Sequence, residues 1–179
     1  MNKVRQTAPT IAGIRDDHVE RYRWAADIIG DVRPDILDMG CGVGYGSQLL
    51  AIMTGGNVLG FDRNPDAIEY AREHYAHPHV HYAQRDLEAL VKPSNTPFDV
   101  VTAFEVIEHS PAALTVLSLL SASLLFGSVP NQLTVPFDPR VHNVEHYRHF
   151  TPDELRAELL AVGWVVTEMT GQLGKRGTY

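Results

Sequence analysis

The length, composition and charge of the chain limit the classes of protein it can belong to. With 179 residues, of which 44% are hydrophobic and 21% charged, the chain fits one ordinary globular domain with a single core. The formal net charge of -7 disfavours a nucleic-acid partner, because an acidic surface repels a phosphate backbone. Cys41 is the single cysteine, which excludes an internal disulfide.

No segment of the sequence has the pattern of a secretion signal or a membrane span. The N-terminus lacks a basic segment followed by an apolar run. The longest apolar stretch, residues 114–126, is interrupted by serines and is shorter than the roughly 20 residues that cross a bilayer. We therefore expect a cytoplasmic protein that does not span a membrane.

Apolar runs of strand length alternate with helix-length amphipathic segments, a pattern typical of repeated βαβ units. A flexible arm is expected over residues 1–15, which lack periodicity, followed by one domain over 16–179. A first helix over 18–29 carries an apolar stripe formed by Val19, Tyr22, Ala25, Ala26 and Ile29. The other predicted elements are strands over 35–39, 57–61, 80–83, 98–104, 124–129 and 164–169 and helices over 47–53, 64–75, 110–120 and 151–163.

This order of elements predicts an α/β fold of the Rossmann-like, doubly wound type, with a mostly parallel sheet and helices on both faces. Ligands of such folds bind at the carboxyl ends of the strands. The segment 130–150 contains three prolines and three histidines and has no clear periodicity. Its length is typical of a functional loop, so we expect it to form a wall of the substrate site.

The loop 38–46, Asp-Met-Gly-Cys-Gly-Val-Gly-Tyr-Gly, follows a predicted strand and opens a predicted helix. Glycines let the backbone turn sharply and let a ligand approach closely. A dinucleotide fingerprint requires Gly-x-Gly-x-x-Gly, which the glycines at 40, 42, 44 and 46 do not match, and this argues against NAD. Asp62, at the end of the next strand, can accept hydrogen bonds from both hydroxyls of a ribose. A tight turn without a ligand is the alternative, but it would not need four alternating glycines.

Four segments carry a resemblance to a known family. Residues 36–47 resemble motif I of the class I S-adenosylmethionine-dependent methyltransferases, and residues 59–68 resemble the ribose-binding strand and its helix. Residues 84–87 resemble the acidic turn that faces the adenine amino group. Residues 98–109 resemble motif IV of the branch that contains ubiquinone-pathway O-methyltransferases and sugar methyltransferases. The resemblance covers about residues 18–172 and implies S-adenosylmethionine as the cofactor.

The resemblance also implies how the cofactor is held. Asp62 would hold the ribose, Arg63 would pack at the adenine, and Asp86 would accept from the adenine amino group, with Leu87 covering the ring. Asp38 would support the loop or the amine of the ligand. Tyr22 resembles an aromatic residue that closes over the methionine part, with core packing as the alternative. The residues expected to bind the cofactor are Tyr22, Asp38, Gly40, Cys41, Gly42, Asp62, Arg63, Asp86, Leu87, Phe104 and Glu105.

Methyl transfer in this class is an in-line displacement, in which positioning and desolvation supply much of the acceleration. We expect the acceptor to be a small molecule with a hydroxyl group, such as a sugar, a polyol or a phenol. A hydroxyl acceptor must lose a proton, for which a neutral histidine is a suitable general base. His109 is the first candidate because it follows the fourth strand, and His142 and His146, in the 130–150 segment, are the others. Each of the nine histidines can equally be a surface or capping residue.

A metal site is an alternative interpretation of part of this region. Glu105, Glu108 and His109, combined with His146, are residue types that bind divalent cations. Small-RNA 3′-end methyltransferases resemble this Glu-x-x-Glu-His pattern with a later histidine and use a metal to orient ribose hydroxyls. The acids can equally line the rim of the site. We expect no metal ion, because the negative charge and the lack of a basic cluster disfavour RNA.

Two departures from the family pattern affect the end of the sheet. The usual Pro-Gly-Gly turn before the fifth strand is absent from residues 121–127, and the sequence ends where an antiparallel seventh strand would begin. We therefore expect the sheet to lack a complete seventh strand and the exposed edge of the sixth to favour a homodimer. Two other functions stay open as alternatives: a metal-assisted RNA 2′-O-methyltransferase and a non-catalytic S-adenosylmethionine-binding domain.

Overall fold

The computed structural model describes residues 6–90, 97–140 and 146–172. Its strands are β1 (Asp35–Met39), β2 (Asn57–Asp62), β3 (Val80–Gln84), β4 (Val100–Phe104) and β5 (Leu124–Ser128). They form one five-stranded sheet in the order β3-β2-β1-β4-β5, and every pairing is parallel. The chain winds outward from β1 to β3 and then returns to place β4 on the other side of β1. This reversal confirms the doubly wound prediction and creates a crevice between the carboxyl ends of β1 and β4.

The helices follow the predicted order along the chain. They are α1 (Asp16–Ile29), α2 (Tyr45–Thr54), α3 (Pro65–His74), α4 (Ala112–Leu119) and α5 (Pro152–Ala161), with 3-10 turns at Ile11–Gly13, Leu87–Leu90 and Ile107–His109. The whole predicted stripe of the first helix is buried. The side chain of Asn64 caps α3, and Thr151 and Glu154 form a capping box at α5. The N-termini of α3 and α5 were predictable from the sequence, because a capping side chain bonds to amide groups only two or three residues further along the chain.

Residues of the central strands alternate between two hydrophobic layers, as the two-residue period of a strand requires. Ile36 and Val100 belong to a cluster with residues of α1 and α2. Leu37 and Val101 belong to another cluster with residues of α4 and α5. The helices therefore cover both faces of the sheet, as predicted, and leave its carboxyl edge for the loops.

The prediction of a sixth strand over 164–169 is wrong, since no strand forms between residues 146 and 172. This segment is held by contacts with helices. The Trp164 amide donates to the Leu159 carbonyl and its indole N–H to the Leu117 carbonyl, while Arg156 donates to the Val166 carbonyl. β5 pairs only with β4 among the described strands, so the segment has no backbone partner for a strand. Self-association stays a prediction, but the strand edge proposed for it does not form.

The described part of the expected N-terminal arm packs on the domain. Ala8 and Ile14 are buried in the cluster that contains α1 and α2, and the Tyr75 hydroxyl donates to the Ala8 carbonyl at 2.6 Å. Residues 1–5 lie outside the described residues. None of the helices in the described segments combines the length and apolar character needed to cross a bilayer.

Candidate cofactor and acceptor site

The glycine loop between β1 and α2 forms the floor of the crevice. Gly40 has a φ of 66°, and a Cβ at this position would lie 2.5 Å from Cγ2 of Val106. A Cβ at Gly46 would lie 2.1 Å from Cζ of Tyr22. Gly40 is therefore required for its backbone conformation, and at both Gly40 and Gly46 a Cβ would collide with a neighbouring side chain. The loop is anchored where the Cys41 amide donates to the Phe61 carbonyl at 2.9 Å.

Asp38, in β1, holds the glycine loop through hydrogen bonds. Its carboxylate accepts hydrogen bonds from the hydroxyls of Ser47 at 2.6 Å, Thr102 at 2.7 Å and Tyr22 at 3.3 Å. Burial raises the pKa of the Asp38 carboxyl to about 6, although the three hydroxyl donors act in the opposite direction. Asp38 is fully buried and is not part of the cavity wall, so it acts on the site through the loop and Tyr22.

Tyr22 lies between the core and the cavity. It is 4% exposed, and its ring makes edge-to-face contacts with Phe104 and Tyr45, with centroids 4.8 and 5.7 Å away. It also lines the cavity. The two roles considered from the sequence, core packing and contact with the ligand, are therefore compatible in one side chain.

The end of β2 presents Asp62 to the cavity. One of its carboxylate oxygens accepts from the Gly42 amide at 3.1 Å and the other from the Asn64 amide at 2.9 Å. Each carboxylate oxygen has about two acceptor positions. The glycine loop and the Asn64 amide therefore hold the orientation of the Asp62 carboxylate, an acceptor group of the kind that binds ribose hydroxyls.

The turn after β3 brings further acids to the cavity wall. Arg63, Asp86 and Leu87 all line it, as predicted candidates for the adenine end, and Glu88 lines it beside them. A hydrogen bond with Glu88 raises the pKa of Asp86, and the same bond lowers that of Glu88. The Ser110 hydroxyl donates to Glu88 at 2.6 Å. Sequence reasoning missed Glu88, although its position two residues after Asp86 was a usable signal.

The carboxyl end of β4 carries a strained residue. Glu105 has a φ of 54°, in the left-handed region that residues other than glycine rarely adopt and that often occurs at functional sites. Its side chain accepts from the Ser128 hydroxyl at 2.7 Å and lies 3.5 Å from the Arg21 guanidinium. Arg21, on α1, also lines the cavity. Sequence reasoning missed it, because a lone arginine on a helix carries no signal of what the helix faces.

Beyond β4, one buried acid and two histidines come together. Glu108 is fully buried, and neither of its carboxylate oxygens has a hydrogen-bond partner among the described residues. Burial, with Glu105 as the second cause, raises the pKa of Glu108 well above its ordinary value. A Glu108 oxygen and a ring nitrogen from each of His109 and His146 lie within 4.8 Å of one another. This donor set suits a divalent cation.

The structure thus brings together two of the three predicted catalytic histidines. The rings of His109 and His146 contact each other edge to face, with centroids 4.4 Å apart, and both line the cavity. His142 lies outside the described residues. His149, which sequence reasoning did not single out, contacts His146 through ring nitrogens 2.9 Å apart. Its spacing of three residues from His146 was the only signal in the sequence.

Most of these groups border one cavity with a volume of about 1470 Å³, whereas Asp38 and Glu108 are not part of its wall. This exceeds the roughly 300–1,000 Å³ of a usual small-molecule pocket, because the cavity extends from the glycine loop past β5 to residues 164–172. Except for Asp38, the described residues of the predicted site line this cavity: Tyr22, Gly40, Cys41, Gly42, Asp62, Arg63, Asp86, Leu87, Phe104, Glu105, His109 and His146.

Comparisons with known proteins agree on the class. A family model described as a methyltransferase domain matches residues 36–124. A probable S-adenosylmethionine-dependent methyltransferase of Mycobacterium tuberculosis is 34% identical over 143 residues, which cover 76% of this chain and 51% of that protein. A ubiquinone biosynthesis O-methyltransferase of Azorhizobium caulinodans is 32% identical over 159 residues, or 77% of this chain and 61% of that protein. The chain therefore spans about half to three-fifths of the length of these relatives.

Solved structures share the fold. A crystal structure of an S-adenosylmethionine-dependent methyltransferase from Mesorhizobium loti has a TM-score of 0.65 at 18% identity, covering 79% of this chain and 80% of that one. The methyltransferase domain of bacterial CtHen1-C also has a TM-score of 0.65 at 18% identity, covering 82% and 83%. Identities this low concern the fold alone.

The fold and the cavity together define a doubly wound α/β domain with a cavity at the point where the strand order reverses. The family match begins in β1 and reaches the first residue of β5, so it contains the glycine loop, Asp62, Asp86 and the end of β4. The chain belongs to the class I S-adenosylmethionine-dependent methyltransferases.

Proposed function

We propose that this protein transfers a methyl group from S-adenosylmethionine to a hydroxyl of a small molecule. The observation that carries the proposal is the order of groups along one cavity. Asp86 and Asp62 border it on the sheet side of the glycine loop, and His109 and His146 border it beyond β4. The groups suited to a nucleoside and the candidate base therefore border the same cavity.

The residues present fit the cofactor. Asp62 would bind the ribose hydroxyls, and Asp86 with Arg63 would face the adenine. The absence of a Cβ at Gly40, where one would meet Val106, keeps the loop close enough for the amino acid end of the ligand. We assign Arg21 to the carboxylate of that end, because it is a partly buried cation on the cavity wall and a guanidinium pairs well with a carboxylate.

The chemistry needs a positioned acceptor and a proton acceptor. In the transfer, the bond from the methyl carbon to sulfur breaks as the bond to the acceptor oxygen forms, and the cofactor leaves as S-adenosylhomocysteine. The hydroxyl proton passes to His109 or His146 and then to water. The buried side chains of Tyr22 and Phe104 would exclude water from a sulfonium bound beside them.

A small acceptor fits the charge of the chain. The net charge of -7 works against a polyanion. Relatives include proteins named ubiquinone biosynthesis O-methyltransferase, which supports transfer to oxygen. Sugars, polyols and phenols stay as acceptor classes.

A second candidate, metal-assisted transfer, is favoured by Glu108. A buried carboxylate without a hydrogen-bond partner is costly, and a divalent cation held by Glu108, His109 and His146 would offset that cost. When bound, such an ion would orient the acceptor oxygen and favour loss of its proton. His109 and His146 would then act as neutral ligands. The RNA version of this function is disfavoured by the charge.

The test measures cofactor binding and turnover separately. Calorimetry with S-adenosylmethionine should give a dissociation constant that the Asp62→Asn change weakens at least about tenfold, because hydrogen bonds to a charged group contribute about 1.5–3 kcal/mol. The matched control is Asp66→Asn, which removes an exposed acid four residues away and should leave binding unchanged. Equal binding by both variants would contradict the assigned ribose site.

Turnover is then followed as S-adenosylhomocysteine formed with a panel of sugars, polyols, phenols and a short RNA with a free 3′ diol. Turnover of a small hydroxylated acceptor supports the proposal, and turnover of the RNA alone supports the rival. Loss of turnover on chelation, restored by Mn²⁺, supports the metal-assisted route. Tight cofactor binding with no turnover of any acceptor would leave a non-catalytic binding domain as the function.

A further inference from the structure

The Val135 carbonyl, His149 and the candidate base His146 form a row of hydrogen bonds. The Val135 carbonyl lies 2.7 Å from Nδ1 of His149, and Nε2 of His149 lies 2.9 Å from Nδ1 of His146. His149 is 5% exposed, and its ring packs edge to face on Phe137 with centroids 5.4 Å apart. The His149 ring is therefore held by packing as well as by two hydrogen bonds.

The chemistry of the three groups decides which atom donates and which accepts in each hydrogen bond. A carbonyl oxygen can only accept, so Nδ1 of His149 carries the proton. In a neutral imidazole the other nitrogen is then an acceptor, so Nε2 of His149 accepts from Nδ1–H of His146. His146 in turn has its lone pair on Nε2. The Val135 carbonyl, acting through His149, thus sets the tautomer of the His146 ring.

Resting on the proposed function, we infer that His149 is a positioning residue that holds His146 in the tautomer with its lone pair on Nε2. Nδ1 of His146 is occupied by His149, so we assign Nε2 to the cluster with Glu108 and His109. The same lone pair would accept the acceptor's proton or bind a cation. Both uses need the tautomer that His149 imposes, as in sites where an outer hydrogen bond orients a histidine ligand.

The direct test is the tautomer itself. Ring-nitrogen NMR of the ¹⁵N-histidine-labelled chain, with the His146 signals assigned from His146→Gln, should show a protonated Nδ1 and an unprotonated Nε2. In His149→Phe, which keeps an aromatic ring beside Phe137, these signals should shift toward those of an unconstrained imidazole. In His149→Gln the side-chain oxygen still accepts from His146, so the tautomer should persist. His81→Phe, on the exposed side of β3, is the control and should leave the His146 signals unchanged.

Activity gives the second readout. His149→Phe should lower turnover about 10- to 100-fold and leave the dissociation constant of S-adenosylmethionine unchanged, whereas His149→Gln should restore most of the turnover. A wild-type spectrum with the proton on Nε2 of His146 would overturn the inference. So would an unchanged tautomer in His149→Phe. If no acceptor is turned over, the proposed function fails, while the spectra of the wild type and of His149→Phe still decide the role of His149.

Discussion

Replacing Asp38 by asparagine should change how the stability of the protein depends on pH. Asp38 is fully buried and accepts hydrogen bonds from Ser47, Thr102 and Tyr22. Asparagine has the same shape. Its carbonyl can accept from Thr102 and Tyr22, and its amide can donate to the Ser47 oxygen, since a hydroxyl also accepts. The variant should therefore fold while losing the titration of this group.

The size of the effect follows from the pKa of Asp38. Burial raises this pKa from 3.8 to about 6 in the folded protein. As the pH rises from 3.8, the unfolded chain releases its proton first, so the free energy of unfolding falls until the pH passes about 6. The difference between the two values corresponds to about 3 kcal/mol. Asp38→Asn removes this loss.

The assay is urea unfolding between pH 4 and 7.5, followed by the fluorescence of Trp24 and Trp164. The free energy of unfolding of Asp38→Asn, measured relative to that of the wild type, should rise by about 2.5 kcal/mol across this range. Asp66→Asn removes an exposed carboxylate and controls for the change in net charge. A constant difference between Asp38→Asn and the wild type at all pH values would refute the assignment of a raised pKa to Asp38.

Three further changes test other parts of the site. Gly46→Ala should destabilise the protein by about 1–3 kcal/mol, because its Cβ would meet Tyr22, whereas Gly171→Ala, with no atom within 4 Å of its Cβ, should leave the melting temperature unchanged. Glu108→Gln should raise stability more at pH 8 than at pH 4, because burial raises the pKa of Glu108; equal effects in urea unfolding at both pH values would contradict this. Thr151→Ala should lower stability by about 1 kcal/mol through the lost α5 cap, and no change in the thermal midpoint would count against that cap.

The region beyond β4 combines two unfavourable features next to a histidine. Glu105 has a left-handed backbone conformation, Glu108 is a buried carboxyl without a hydrogen-bond partner among the described residues, and His109 sits beside it. Strained backbone and buried ionisable groups tend to cluster where a protein binds or transforms a ligand. Their position next to His146 supports placing the chemistry beyond β4 and not at the cofactor end.

The sequence by itself determined the features that depend on near neighbours. The buried stripe of α1, the Asn64 cap of α3 and the capping box of α5 each involve residues within a few positions of one another, so their patterns are visible without a fold. The glycine loop and Asp62 were also readable, because each follows a strand at a characteristic position. The order of alternating strands and helices then sufficed for the doubly wound sheet.

Only the tertiary structure decided the features that depend on distant partners. Residues 164–169 have the apolar composition of a strand, but a strand exists only when another backbone lies beside it, and here helices α4 and α5 hold the segment instead. The sequence marked Glu108 as a candidate metal ligand or rim residue, but only the packing around it shows that its carboxyl is fully buried. The link from Val135 through His149 to His146 needs the loop to return on itself, which no local pattern records.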